Sequence, residues 1–365
     1  METADFDILT GILSHFPEVG KVVRVEPLTS GLINRTYRVV TANPQVGDYI
    51  LQRVNHAVFT DVPLLQHNIE AVTDHLHRKM QAMGVGDIDR RVLRFVKADD
   101  GTTFHFTGEG YWRVCAYIKD SVTKDVVTPE TSYLVGRKFG EFESMLSDMS
   151  ESIGETIPDF HNMELRSRQL QEAVEADKAG RLAQVKPIVD DIMADSYEMC
   201  RAERLYREGK LPKRICHCDT KVSNMLFDEH DNVLCIIDLD TTMPSFVFSD
   251  FGDFLRSAAN TAAEDEPDLE KIHFNEEIFK AFAKGYIEST SAFLTPIERS
   301  MLPYSVALFP YMQAVRFLAD YLNGDTYYRI AYPEHNLVRA RNQFALVADM
   351  EKKMDDMNRI ISEIG

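Results

Sequence analysis

The sequence predicts an α+β protein of two lobes, and three observations predict it. Residues 22–28, 36–42 and 48–54 read VVRVEPL, TYRVVTA and DYILQRV, short β-branched runs divided by Gly, Asn and Pro; RRVLRFV at 90–96, TTFHFT at 102–107 and GYWRVCAYI at 110–118 repeat the pattern, as strands of an antiparallel sheet do. From about residue 120 onward apolar residues recur three and four apart, the period of helices. At 365 residues the chain exceeds the size at which one hydrophobic core usually keeps growing. The expected organisation is a small antiparallel-sheet lobe over 1–118 and a larger, mostly helical lobe over 119–365.

Taken in order, Phe6, Leu9, Leu13 and Phe16 mark a short opening helix, and LLQHNIEAVTDHLHRKMQA at 64–82 a longer one between the third and fourth strand signals. Helical spacing returns over 131–149, 168–208, 275–291, 298–323 and 335–363, with Pro187 expected to interrupt the second of these. Within the helical lobe, NMLFDEHDNVLCIIDLD holds two apolar runs around Glu229–Asn232 and reads as a hairpin. The acidic stretch 260–271 reads as an exposed loop. Met350, Met354 and Met357 sit at helical spacing in the last segment and are expected to pack.

A formal net charge of −18 argues against nucleic acid or an anionic membrane surface as partner. Five scattered cysteines do not form a disulfide framework, and a reducing, cytoplasmic setting is expected. The first residues, METADFDILTGILSHF, carry acids where a secretory signal carries positive charge.

The stretch RICHCDTKVSNMLFD at 214–228 concentrates the chemistry. A zinc reading takes Cys216, His217, Cys218 and Asp219, but structural zinc sites use two spaced ligand pairs, and no second pair follows. A catalytic reading takes H-x-D-x-K-x-x-N: His217, Asp219, Lys221 and Asn224, with Asp238 at the end of the hairpin. Phosphoryl transfer from ATP needs a carboxylate on the acceptor hydroxyl, oxygen ligands for Mg²⁺ and cations against the moving charge. Asp219 supplies the first, Asn224 and Asp238 the second and Lys221 the third, while His217 braces the loop.

This constellation resembles the protein-kinase-like superfamily, and within it the aminoglycoside phosphotransferase and choline kinase family. The resemblance implies a two-lobed kinase-like fold, ATP and Mg²⁺ as cofactors, and an acid in SDFGDFLRSA at 249–258 that braces the catalytic loop, either Asp250 or Asp253, with Asp250 preferred. The DFG letters at 250–252 follow the metal aspartate and do not carry its role.

At the nucleotide end, LTSGLINRTYRVV at 28–40 occupies the place of a phosphate-covering loop, with Ser30 and Gly31 at its turn. Strand alternation puts Ile50 and Gln52 on one face of YILQRV, Ile50 toward adenine and the neutral Gln52 where kinases carry a lysine. Either Arg53 through a bulge or Lys221 alone would make good the missing charge, and Glu70 is the candidate for the helix acid. Adenine would be held by backbone groups of the connector around Tyr117, Ile118 and Lys119, with Trp112 in the core.

RFLADYLNGDTYYRIAYPEHNLVR at 316–339 gathers Arg316, Asp325, Tyr327 and Tyr328, a mixture suited to a neutral polyol. Together with GLINRTY, YILQRVN, HCDTKVSN, IIDLDTTMP and DFGDFLR it resembles the N-acetylhexosamine 1-kinases of the same family. That resemblance implies a sugar substrate phosphorylated at its anomeric hydroxyl, with Asp219 addressing the hydroxyl and Arg316 and Tyr327 holding the sugar; Leu32 stands where a member of the group has histidine. Another small alcohol as acceptor, and a non-catalytic nucleotide or sugar binder, are the rival expectations.

Overall fold

The computed structural model describes residues 3–28, 33–43 and 47–364. The chain divides into two compact units: Met1–Thr123 with Asp148–Pro158 and Met225–Met243, and Lys124–Ser147 with Asp159–Asn224 and Pro244–Gly365.

The first unit is built on five antiparallel strands, β1 (Val22–Leu28), β2 (Arg35–Thr41), β3 (Tyr49–Val54), β4 (His105–Phe106) and β5 (Tyr111–Ala116), in the order β1-β2-β3-β5-β4. Alternation gives each strand two faces. Val25, Val39, Leu51, Trp112 and Val114 form one core with Leu9, Leu13 and Phe16, residues in and just after helix α1 (Thr3–Leu13). The segment 90–96, expected as a strand, forms no ladder. The outer edge of β5 is shared: β4 takes Tyr111 and Trp112, and Val96 N–H to Val114 O and Arg94 O to Ala116 N–H take the rest, so Phe95 makes only a single bridge to Cys115.

Helix α2 (Val62–Ala82) starts at Asp61, whose side chain accepts from the Leu64 N–H, an N-cap that satisfies one orphan donor. Its Asn68 donates to Gly154 O and Thr242 O and accepts from Gly154 N–H, which fastens two remote segments to the helix. The hairpin, read in the sequence as part of the helical lobe, groups with this sheet unit. Its strands Met225–Phe227 and Val233–Ile236 are antiparallel, and Asp228 closes the turn by accepting from His230 N–H and Asn232 N–H. Leu234 and Cys235 pack against Ile118, flanked by Leu93, Leu226 and Ile237.

The second unit carries helices α3 (Pro129–Leu146), α4 (Met163–Ala176), α5 (Leu182–Met199), α6 (Arg201–Arg207), α7 (Phe248–Ala258), α8 (Glu276–Thr290), α9 (Pro296–Ser300), α10 (Leu302–Leu322), α11 (His335–Lys352) and α12 (Met354–Glu363). α10 is buried over nearly its whole length, as a helix apolar on every side must be. Glycines let α3 and α8 touch: a Cβ on Gly285 would lie 2.2 Å from Tyr133 O, and one on Gly136 2.3 Å from Phe282 O. Pro187 does not interrupt the chain as expected; it lies inside α5, where its ring forgoes one hydrogen bond. The break falls earlier, at Asp177 (φ 35°) and Gly180 (φ 64°), whose left-handed backbone ends α4. Among the described residues no helix is long and apolar enough to cross a membrane.

Candidate active site

The loop after the short strand Arg214–Cys216 is shaped by α7. Asp250, buried, accepts from His217 N–H and Cys218 N–H at 2.7 Å each; Asp253 accepts from Thr220 N–H at 2.8 Å. Both acids offered by the sequence therefore brace the loop, one residue group each. Cys218 sits in the left-handed region at φ 63°, a conformation that costs a non-glycine residue free energy and persists only where its surroundings fix it. The two carboxylate bonds on either side of it do so.

So held, the loop presents Asp219 half-buried. Its Oδ2 accepts from Asn224 Nδ2 at 2.9 Å and lies 3.0 Å from Lys221 Nζ. Asn224 Nδ2 also donates to Asp219 O at 2.8 Å, so the amide nitrogen is committed within the loop and Oδ1 is turned away from these contacts. His217, set edge-on to Phe139 and Phe142, accepts the Asp219 N–H on Nδ1 at 3.3 Å. These contacts tie the ring to the loop and to α3.

Beneath the loop lies a group that sequence reasoning missed. Glu143 of α3 is buried, with Oε2 accepting from Tyr286 O–H, and it lies with Asp250 and Cys216 so that one ligand atom of each falls within 4.8 Å of the others. Burial, reinforced by the Asp250 charge, holds the Glu143 carboxyl well above the usual carboxylate range. Burial also pushes Asp250 up to about 6. Two carboxyls this close disfavour each other's ionisation. Both cysteines of the loop are buried, and burial raises their thiols well above the ordinary value.

α7 also ties this loop to α10. A Cβ on Gly252 would lie 2.5 Å from Ser305 O and 2.6 Å from the Phe309 ring, so only glycine permits the approach. Further along α10, Arg316 Nη1 donates to Gln313 Oε1, and Gln313 Nε2 donates to the Tyr328 hydroxyl. The Arg316 guanidinium lies 6.0 Å from the Tyr327 ring and 5.6 Å from that of Tyr328. Tyr327 is 72% exposed. His161 stacks on Phe160 and meets Phe309 edge-on; burial and then the charges of Arg316 and Arg166 push it down to about 3, so its ring is neutral.

The turn bearing both tyrosines is built by Asp320, which accepts from Thr326, Tyr327 and Tyr328 N–H at 2.8–2.9 Å. Asp325, expected beside the substrate, is instead a brace: Oδ2 pairs with Arg181 at 2.6 Å and Oδ1 accepts from Asn336, with its side chain 3% exposed. The sequence showed both acids in ADYLNGDTYY but not which way either faces.

In the sheet unit, Ile50 and Gln52 share a face as expected, but Arg53 lies over the Trp112 ring and donates to Glu109 O, so it takes no part there. Glu70 is bonded to Thr103, and the α2 residue that reaches the sheet is Gln66. The residue opposite Gln52 on β5 is Arg113, which the sequence did not single out. Tyr117 N–H continues the sheet by donating to Asp48 O, and its ring lies under Arg38, so its backbone donor is not the one expected to meet adenine; Ile118 lies in the apolar cluster with the hairpin. Asp238 is exposed and left-handed at φ 60°. Ser30 and Gly31 lie outside the described residues.

The sequence model of the phosphotransferase enzyme family (APH) matches residues 24–286, well over half the chain. Among solved structures, the fold matches an aminoglycoside phosphotransferase from Alicyclobacillus acidocaldarius (TM-score 0.59, 14% identity, 95% of this chain and 96% of that one). It matches a choline kinase from Cryptosporidium parvum (0.60, 15%, 96% and 97%) and a spectinomycin phosphotransferase solved with ADP and spectinomycin (0.53, 12%, 96% and 98%). With a five-stranded antiparallel sheet, a mostly helical second part and this match, the chain belongs to the phosphotransferase enzyme family and is an ATP-dependent phosphotransferase of small molecules.

Proposed function

We infer that the protein transfers the γ-phosphoryl group of ATP to the anomeric hydroxyl of an N-acetylhexosamine, GlcNAc or GalNAc, giving the sugar 1-phosphate. The observation that carries this reading is the chemistry around Arg316. A cationic acceptor such as choline calls for an aromatic cage or unpaired acids. Here the aromatic rings come with Arg316, and burial and then the Arg316 charge lower the pKa of a second arginine, Arg166. The acids of the same turn are spent on backbone N–H groups and on Arg181. A guanidinium, an amide and two phenols suit the hydroxyl and acetamido groups of a neutral sugar, with an exposed ring against its face.

In the reaction, Asp219 orients the C1 hydroxyl and takes its proton as the oxygen attacks phosphorus and ADP leaves. Lys221, ion-paired to Asp219, stands by the transferring group as a cation. Asn224, through Oδ1, and Asp238 offer the all-oxygen donors that suit Mg²⁺; that ion would neutralise phosphate charge. Both assignments to the metal rest on the sequence spacing and on the orientation of the Asn224 amide.

An acceptor panel tests the reading: GlcNAc, GalNAc, unacetylated hexoses, choline, ethanolamine and homoserine, with ADP release as readout and NMR of the product. Turnover with an N-acetylhexosamine and phosphate on the anomeric carbon are expected. A 6-phosphate, or preference for a cationic alcohol, would overturn it.

A further inference from the structure

Gln52 leaves the nucleotide end without the cation that kinase-like sites place on the third strand. We propose that Arg113, from the neighbouring strand β5, is the residue that binds the terminal phosphates of the nucleotide, with Gln52 and Gln66 holding it in position. The proposal rests on the ATP-dependent reading above and concerns only the sheet unit.

Register is the first support. Thr36, Gln52 and Arg113 form one row across β2, β3 and β5, and Arg38, Ile50 and Cys115 form the next row on the same face. Two residues along a strand span about 7 Å. A side chain in the first row therefore stands one adenine-to-phosphate step from Ile50, the place of the strand lysine, and directly opposite pairs have neighbouring Cβ atoms.

Orientation is the second. The Arg113 side chain, 2% exposed, donates from Nε to Gln52 Oε1 at 3.0 Å and from Nη1 to Gln66 Oε1 at 3.1 Å. Gln52 Nε2 is tied to Thr36 Oγ1, and Gln66 Nε2 to Thr103 Oγ1, so both amides have their oxygens turned to the guanidinium. These contacts use one N–H of each nitrogen they involve, and each terminal nitrogen carries a second. A glutamine at 52 is thus a holder of charge rather than a lost charge.

The third is what balances it. Arg113 Nη2 lies 2.6 Å from Asp240 Oδ1, yet that oxygen has no partner in hydrogen-bonding geometry among the described residues, so the contact is an ion pair off line rather than a closed bidentate fork. Asp240 Oδ2 accepts from Asn34 Nδ2, and Asn34 Oδ1 accepts from Asn55 N–H. Asn34 stands at the end of the β1–β2 connection, so the pair is linked to the segment that covers phosphates in kinase-like sites.

The test measures dissociation constants of adenosine, AMP, ADP and ATP for the full chain and for R113M, R113K and the double variant Q52K/R113M, which moves the cation back to β3. A charged hydrogen bond lost in R113M weakens ADP and ATP at least about tenfold and leaves adenosine unchanged; Q52K/R113M regains ADP and ATP affinity. Should R113M fail to fold, R113K serves, its shorter head reducing the ratio of ADP to adenosine affinity. Equal loss for adenosine and ADP, or an unchanged ratio in R113K, marks Arg113 as a structural ion pair and overturns the proposal. A parent chain that binds none of the four overturns the nucleotide reading itself.

Discussion

Replacing Asp219 by asparagine separates chemistry from folding. In the structure Asp219 makes two side-chain contacts through Oδ2: the bond from Asn224, and the ion pair with Lys221, whose side chain is 46% exposed. An asparagine carbonyl still accepts from Asn224, so that bond survives. The ion pair is lost, and a pair this open to water contributes about 0–1 kcal/mol. The loop's own geometry hangs on Asp250 and Asp253, which are untouched. Unfolding in urea should therefore shift by no more than about 1 kcal/mol, a small displacement of the midpoint at unchanged slope. An amide, however, cannot take the hydroxyl proton, and removal of a general base costs on the order of 10² to 10⁴ in turnover. Single-turnover transfer from ATP, followed as sugar phosphate formed, reads this directly, with nucleotide affinity measured in parallel. Parental turnover in Asp219→Asn would refute its assignment as base, and destabilisation by several kcal/mol would refute the account of the loop.

Asp250→Ala has the opposite signature: two bonds from buried N–H groups to a carboxylate disappear, each worth about 1.5–3 kcal/mol, so a loss of at least about 3 kcal/mol in urea unfolding is expected, with turnover falling as the loop relaxes. Glu143→Gln tests the coupling of these two buried carboxyls. Because burial raises Glu143 and, to about 6, Asp250, folding takes up protons; stability is full below the unfolded carboxyl values near 4 and declines as pH rises through the folded ones. Removing the Glu143 carboxyl should flatten the decline that begins near pH 4, seen as melting temperatures that vary less with pH than the parent's. Arg316→Ala should raise KM for the sugar by about tenfold or more with KM for ATP unchanged; an equal rise in both would place Arg316 outside the acceptor site.

Much of this was legible in the residues. The alternation of YILQRVN and YWRVCAYI gives β3 and β5, and H-x-D-x-K-x-x-N followed by an apolar hairpin marks a loop whose Asp219, Lys221 and Asn224 do come together. What stayed hidden depends on pairing and facing. Arg113 becomes visible only once β3 and β5 are set in register, because side-chain period alone does not fix which residue of one strand meets which of the next. Asp325 stood beside Tyr327 in sequence, yet its left-handed backbone at φ 59° and Arg181, remote in the chain, turn it inward. Glu143 lies on a helix whose apolar stripe it joins, its ionisation disfavoured by burial; a letter E in such a stripe reads as an error until its neighbour Asp250 is known.

The contact of α7 with α10 at Gly252 bears on how this enzyme can change. One helix face brackets the catalytic loop while the other lies against the helix that carries Arg316. Any side chain at Gly252 would wedge the two apart and disturb the loop and α10 together. Tyr327, by contrast, projects from a turn whose backbone Asp320 secures independently. On the proposed reading of the acceptor site, divergence toward new acceptors is channelled to the exposed turn, while the seam between the helices is closed to drift.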